Sequence, residues 1–275
     1  MTLRTVSQAL DTAKKQGLDR LDAHLLLLYA LGKLQTERAW LLANDDSALP
    51  SQAADAFDTF CQRRAAGEPL AYIIGYKEFF GLRFSVDARV LVPRPDTETL
   101  VQWALDVSSS FASPDILELG TGSGAVAIAI AHTLKCKVTA TDFSTQALSV
   151  ASDNAAKLGV DVKFLHSNWF EKVSGHYHVI ASNPPYIKSS DPHLEALTHE
   201  PLNALAAGAD GLSDLRQIVQ SAPNHLQPGG WLLLEHGYDQ ESPVRTLLVE
   251  RGFRQVQSRC DLAGITRCSG GQWGP

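Results

Sequence analysis

Asn183-Pro184-Pro185-Tyr186 follows an apolar run, His178-Val179-Ile180-Ala181-Ser182, and lies downstream of a glycine run, Gly120-Thr121-Gly122-Ser123-Gly124, that closes an earlier apolar segment. Glycines permit a tight strand-to-helix turn and let a ligand approach the backbone with no Cβ in the way. The spacing is G-x-G-x-G, not the G-x-G-x-x-G of dinucleotide folds. Asp142 ends the next apolar run, about twenty positions on, where a carboxylate can accept both hydroxyls of a ribose. Two consecutive prolines remove two N–H donors and hold the chain extended, leaving carbonyls and the Asn183 side-chain oxygen free to accept. An –NH2 group held by two acceptors is oriented, and Tyr186 offers a flat face to a planar amide or base. Asn183, Pro184 and Tyr186 are therefore the expected catalytic group. A nucleotide-like cofactor and a planar nitrogen brought face to face point to methyl transfer onto nitrogen. Such a nitrogen has a delocalised lone pair, so alignment counts for more than a strong base, and positioning supplies up to ~7–11 kcal/mol in well-oriented systems.

Other residues admit two readings. Trp169 in Ser167-Asn168-Trp169-Phe170 could lie against a purine, with the Asn168 amide on the purine's edge; equally, Trp169 and Phe170 could fill the core. Arg94 and Glu98 are spaced to pair one turn apart on a helix, or to line a substrate mouth. The histidines, His176, His178 and His193 among them, lack metal-ligand spacing, so no metal is expected. Gly270-Gly271-Gln272 reads as chance in a short tail.

Both motifs need a sheet edge to hold them, and the chain supplies one. From Asp115 onward strand and helix patterns alternate: strands at Ile116–Leu119, Lys137–Thr141, Val162–Leu165, His178–Ser182 and Trp231–Glu235, with helices between them. A helix over Leu212–Leu226, a loop at Pro228-Gly229-Gly230, a last helix over Pro243–Arg251 and strands near Phe253–Gln257 and Thr266–Cys268 complete the pattern. The fold class is α/β: a doubly wound, mainly parallel, seven-stranded sheet with helices on both faces, binding ligands at the carboxyl ends of its strands. Ahead of it, residues 1–68 carry helical stripes (Leu3, Val6, Ala9, Leu10; then Leu21, Leu25, Leu28, Leu31; then Ala54, Phe57, Phe60, Cys61 in a helix from Ser51 to Ala66) and read as a small helical domain. Residues 69–92 are aromatic and β-branched with glycine breaks, including Tyr72-Ile73-Ile74-Gly75-Tyr76, and read as a β-hairpin linker. Residues 93–275 form the catalytic domain, opening on the stiff Pro93-Arg94-Pro95.

Composition narrows the class further. With 44% hydrophobic and 20% charged residues the chain is that of a globular protein with a sizeable core. A formal charge of -6 offers no footprint for a phosphate backbone. Cys61, Cys136, Cys260 and Cys268 are dispersed and read as reduced thiols of a cytosolic protein. Met1 to Arg20 has no continuous apolar region of the secretory kind, and Leu25 to Leu31 is too short for a bilayer.

These residues resemble the class I S-adenosylmethionine-dependent methyltransferases, where Asn-Pro-Pro-Tyr marks transfer to an amide or aromatic amine nitrogen. Gly67-Glu68-Pro69, Gly75-Tyr76-Lys77-Glu78-Phe79, Val92-Pro93-Arg94-Pro95-Asp96-Thr97-Glu98 and Leu233-Leu234-Glu235-His236-Gly237 extend the likeness to the HemK/PrmC family, the peptide chain release factor glutamine N5-methyltransferases. The resemblance covers nearly the whole chain. It implies S-adenosyl-L-methionine as cofactor, contacted by Gly120, Thr121, Gly122, Ser123, Gly124, Asp142, Trp169 and Asn183. It implies a substrate glutamine, in the Gly-Gly-Gln loop of class 1 release factors, held by Asn183, Pro184, Pro185 and Tyr186, with the helical domain helping to hold that protein. Neither a membrane nor a direct nucleic-acid partner is expected, and the location is cytoplasmic. Asn168 stands where the family usually has aspartate, which leaves an adenine contact there neutral; Glu118 stands where aspartate is common, which lengthens one arm. The rival readings are a glutamine methyltransferase of a ribosomal protein, an adenine-N6 methyltransferase acting on a flipped base, and a catalytically silent cofactor-binding module.

Overall fold

The computed structural model describes residues 4–274, so Leu3 of the first expected stripe lies outside the described residues. The chain divides into two compact units, Met1–Tyr76 and Lys77–Pro275. In the first, α1 (Val6–Lys15) opens on a reciprocal cap: the Gln8 amide N–H donates to the Thr5 hydroxyl, and the Gln8 side chain accepts from the Thr5 N–H. α2 (Arg20–Ala30) is capped by the Asp19 carboxylate. α3 (Arg38–Ala43) and α4 (Ser51–Ala65) follow, and Leu26, Leu27, Leu28, Leu41, Leu49 and Phe57 close a core among them. The apolar run Leu25–Leu28 has no polar position to set its phase, and the buried face is turned from the expected one, leaving Leu21 44% exposed.

Residues Leu70–Ile74 form a helical turn, α5, where a strand was expected. Ile73-Ile74 favours strand locally. The proline just ahead (Pro69) and the glycine just after (Gly75) are helix punctuation, however, and tertiary burial of Ile73 and Ile74 decides the outcome.

Tyr76, the last residue of the first unit, opens β1 (Tyr76–Phe79), which forms a hairpin with β2 (Leu82–Ser85). After α6 (Glu98–Ser108) come β3 (Asp115–Leu119), α7 (Ala125–Leu134), β4 (Lys137–Asp142), α8 (Thr145–Leu158), β5 (Lys163–His166) and β6 (Tyr177–Ser182). Then follow α9 (Ser213–Ser221), β7 (Leu226–Glu235), α10 (Glu241–Arg251), β8 (Arg254–Cys260) and β9 (Thr266–Gln272). The seven strands lie in the order β5-β4-β3-β6-β7-β9-β8, parallel as far as β7 and antiparallel beyond it. This is the doubly wound sheet that the alternation predicts.

The period of two along each strand divides its side chains between two cores. Ile116, Val179, Ala181 and Leu233 meet Trp103 of α6 and the apolar face of α7. Leu117, Ile180, Leu232 and Leu234 meet α9 and α10 through Leu215, Ile218, Val244 and Leu248. α9 is shorter than expected because Pro223 breaks the α pattern and a 3-10 turn, Ala222–His225, finishes it. β7 begins before its expected start: it runs through Pro228-Gly229-Gly230, where a register shift against β6 accommodates the proline.

Gly270-Gly271-Gln272 is not part of a tail. It lies in β9, an interior strand between β7 and β8. A Cβ on Gly270 would stand 2.6 Å from the Leu232 carbonyl oxygen, and one on Gly271 would stand 2.9 Å from the Phe253 Cβ. The Gln272 amide donates to the Gly229 carbonyl. Close packing of the sheet accounts for all three residues.

Candidate active site

β3, β4 and β6 end level with one another, Leu119 paired with Thr141 and with Ser182. The glycine run, Asp142 and Asn183-Pro184-Pro185-Tyr186 therefore leave the same edge of the sheet. In the glycine run the residues divide by direction. Gly120 and Gly122 face a cavity of about 600 Å³. Thr121 and Ser123 are buried away from it, and the Thr121 hydroxyl donates to the carboxylate of Glu118 at 2.5 Å. Gly124 is needed for packing, since a Cβ there would lie 2.8 Å from Ile128 and 3.1 Å from Ala151.

Glu118 is the anchor of this turn. Only 2% exposed, it also accepts the Ala127 N–H at 2.9 Å, which ties the end of β3 to the first turn of α7. Burial pushes its carboxyl up to about 7, against the Thr121 and Ala127 hydrogen bonds that favour the charged form. The longer glutamate arm works inward, on the loop.

Asp142 is held from both sides. Its Oδ2 accepts the Gly122 N–H and its Oδ1 the Ser144 N–H, each at 2.8 Å. Burial raises its pKa, and these backbone donors offset part of that rise. Each oxygen keeps a lone pair for a further donor, so the fixed carboxylate can take a vicinal diol.

Trp169 lines the cavity with backbone in the left-handed region, φ 47°. That geometry is costly for an aromatic residue. It is held by the Ser167 hydroxyl donating to the Trp169 carbonyl at 2.9 Å. A Cβ on Gly120 would stand 3.4 Å from the indole ring. Phe170 takes the core position instead, stacked on His225. Asn168 also lines the cavity and donates its amide to Glu171.

At the far side of the cavity stand Asn183 and Pro185. The Asn183 Nδ2 donates to the Thr97 hydroxyl at 3.1 Å. Pro184 is buried and does not line the cavity. Nor does Tyr186, whose hydroxyl donates to the Glu235 Oε1 at 3.4 Å and whose carbonyl accepts from Gln240. Of the residues the sequence singled out, the structure gathers Gly120, Gly122, Asp142, Trp169, Asn183 and Pro185 around one space. Thr121, Ser123, Gly124, Pro184 and Tyr186 sit behind them.

Two further walls were not legible as such. Ala88–Leu91 and Pro201–Ala206 both border the cavity. Glu200, 7% exposed, staples them by accepting the Val92 N–H at 3.1 Å and pairing with Arg94. Arg94 therefore does not pair with Glu98, whose carboxylate accepts the Phe80 N–H. Phe143, 67% exposed on the cavity wall, is a second omission; a large aromatic directly after Asp142 was its signal.

Residues 2–75 match the family model described as the PrmC N-terminal domain, and residues 96–265 the one described as the methyltransferase small domain. A release factor glutamine methyltransferase of Burkholderia pseudomallei is 46% identical over 275 residues, with 96% of this chain and 95% of that protein covered. The chain belongs to the release factor glutamine methyltransferase family. A second release factor glutamine methyltransferase, of Bordetella pertussis, is also 46% identical, over 95% of this chain and 97% of its own. A methyltransferase from Pyrococcus furiosus shares the fold at a TM-score of 0.56, with 21% identity, 78% of this chain and 100% of that chain covered. Membership of the release factor glutamine methyltransferase family is what the separated motifs in the sequence imply, from Gly67 through Gly237.

Proposed function

We propose that this protein transfers a methyl group from S-adenosyl-L-methionine to the side-chain amide nitrogen (N5) of the glutamine in the Gly-Gly-Gln motif of class 1 peptide chain release factors. One observation carries the reading: Asn183 and Pro185 border the same cavity as Asp142, Gly120 and Trp169. The residues present suit the cofactor. A cavity of about 600 Å³ is in the size range of such ligands. Gly120 has no Cβ, which leaves the indole of Trp169 close over the loop. Asp142 is the acceptor for ribose hydroxyls, and Phe143 and Trp169 supply apolar surface for a purine.

When bound, S-adenosylmethionine supplies a methyl group activated by its positively charged sulfur. The protein's part is to present the nitrogen. Asn183 Oδ1 and a carbonyl of the proline pair accept the two amide hydrogens, which aims the nitrogen's lone pair at the methyl carbon. Those acceptors bind better as the nitrogen gains positive charge, which lowers the barrier further. Loss of one N–H proton completes the product. Tyr186, from behind, braces the proline pair through Glu235 and Gln240. In this reading the amino-terminal region, which matches the PrmC N-terminal domain over residues 2–75, helps to hold the release factor.

The test is methyl transfer from isotopically labelled S-adenosylmethionine in parallel reactions with a class 1 release factor, large-subunit ribosomal proteins and duplex DNA. Label in the release factor alone is expected. Label in either of the others, with none in the release factor, overturns the substrate assignment.

A further inference from the structure

Exposed apolar side chains are not spread evenly over the second unit. Among its described residues the large ones are Phe143, Leu202, Tyr238, Val249, Leu262 and Ile265. Val249 lies on α10; the other five stand in the connections that follow β4, β6, β7 and β8, at the sheet edge where Asn183 leaves β6. An isolated exposed leucine is ordinary. A set confined to the rim of one site marks a surface for a partner.

The turn between β8 and β9 carries two of the five and is organised from within. The Asp261 Oδ1 accepts the N–H groups of Ala263 and Ile265, each at 2.9 Å, and the Asp261 N–H donates to the Ile265 carbonyl at 2.8 Å. Leu262 is fully exposed and Ile265 is exposed beside it. Strand pairing fixes where the turn lies. Leu234 of β7 is paired with Ser182 of β6 and with Ser269 of β9, and Cys260 with Thr266, so residues 261–265 project past the level at which Asn183 begins. Arg267 ties the turn to the seat of the nucleophile. It pairs with Asp261 and with Asp96, each at 3.0 Å, and Asp96 precedes Thr97, whose hydroxyl accepts from the Asn183 Nδ2.

We infer that the apolar tip of the β8–β9 turn, Leu262 and Ile265, is a docking surface for the protein that carries the substrate glutamine. The inference rests on the reading above, in which that protein is a release factor. The reach of the reaction selects the occupant. An amide held at Asn183 sits at the end of one side chain, so the backbone bearing it lies within a side chain's length of the seat. The folded protein around that backbone must then cover the loops beside the seat. The matching surface on the partner is apolar, because the tip offers no free charge: Asp261 is engaged by the turn and by Arg267, and Arg267 is paired on both sides. Leucine and isoleucine gain by leaving water, and here they leave it when the partner covers them. That gain is the same for bound substrate and for the transition state, so it belongs to KM and not to kcat.

Full-length protein carrying Leu262→Ser together with Ile265→Ser, and separately Val249→Ser, tests this with a release factor as methyl acceptor. The double variant should raise KM for the release factor about tenfold or more, while kcat and S-adenosylmethionine affinity by calorimetry stay within about twofold. Val249→Ser, a comparable loss of exposed apolar surface away from that edge, should leave KM within about twofold. Should the double variant fail to fold, Leu262→Ser alone decides, with a KM rise of about threefold or more. An unchanged KM, a fall confined to kcat, or the same KM rise in Val249→Ser overturns the inference. A parent protein that leaves the release factor unmethylated overturns the substrate reading and the inference together. A parent that methylates it, beside a Leu262 and Ile265 variant of parental KM, overturns the inference alone.

Discussion

In the proposed function Asp142 serves binding and Asn183 orientation, and each can be removed separately. Asp142 has both oxygens fixed by backbone N–H groups, so it meets a diol without reorganising. Removing a charged acceptor costs roughly 1.5–3 kcal/mol. Asp142→Ala should therefore weaken S-adenosylmethionine binding by about 10- to 100-fold in calorimetry, and unchanged affinity would sink the ribose assignment. Asn183→Ala should do the reverse: kcat falls by about 100-fold or more, while cofactor affinity holds within a few-fold. At this scale the sequence was half legible. Residue types and spacing identified Gly120, Gly122, Asp142, Trp169 and Asn183, because each motif carries its own chemistry. They could not say which of the five residues from Gly120 to Gly124 face inward. That depends on Glu118, Ile128 and Ala151, which contact the turn from its buried side.

Elements carry the strain of this arrangement. The turn after β3 depends on a carboxylate that is nearly inaccessible and whose pKa is raised to about 7. A raised carboxyl pKa means that the folded state holds its proton more tightly than the unfolded chain does. The native state accordingly loses stability from this group as pH rises from its unfolded value towards about 7, and the loss is complete above that. His24, His225 and His236, whose pKa values burial lowers, act with the opposite sign below the ordinary histidine value. A difference between variants isolates the Glu118 share. Glu118→Gln, which keeps the acceptor for Thr121 and Ala127, should gain in Tm relative to the parent as pH increases from 5 to 8, a range of about 3 units. A Tm difference that is flat with pH contradicts the account.

β9 offers a second test at the same scale. Gly270→Ala places a Cβ 2.6 Å from backbone that cannot move aside, so thermal denaturation should show a loss of about 1–3 kcal/mol. An unchanged Tm would mean that the strand has more room than the structure shows. β9 was hard to read because its glycines and polar residues lack a strand's alternation. Its place is set by pairing with β7 and β8, which no local pattern announces. The same lack of period concealed α5, whereas the long alternation from β3 to β7 was plain because buried parallel strands are nearly all apolar.

The whole molecule is two compact units, Met1–Tyr76 and Lys77–Pro275, and the residues bordering the cavity all belong to the second. A fragment of residues 77–275 should therefore bind S-adenosylmethionine within a few-fold of the full chain while losing most methylation of a release factor. Equal methylation by the fragment would remove the proposed role of the helical unit. No helix among the described residues is long and apolar enough to cross a membrane. The most direct measurement is tandem mass spectrometry of a class 1 release factor after incubation with this protein and S-adenosylmethionine. A single methyl on the side-chain nitrogen of the Gly-Gly-Gln glutamine is predicted. A methyl on any other residue of the release factor, or an unmodified glutamine after full consumption of the cofactor, would contradict the account.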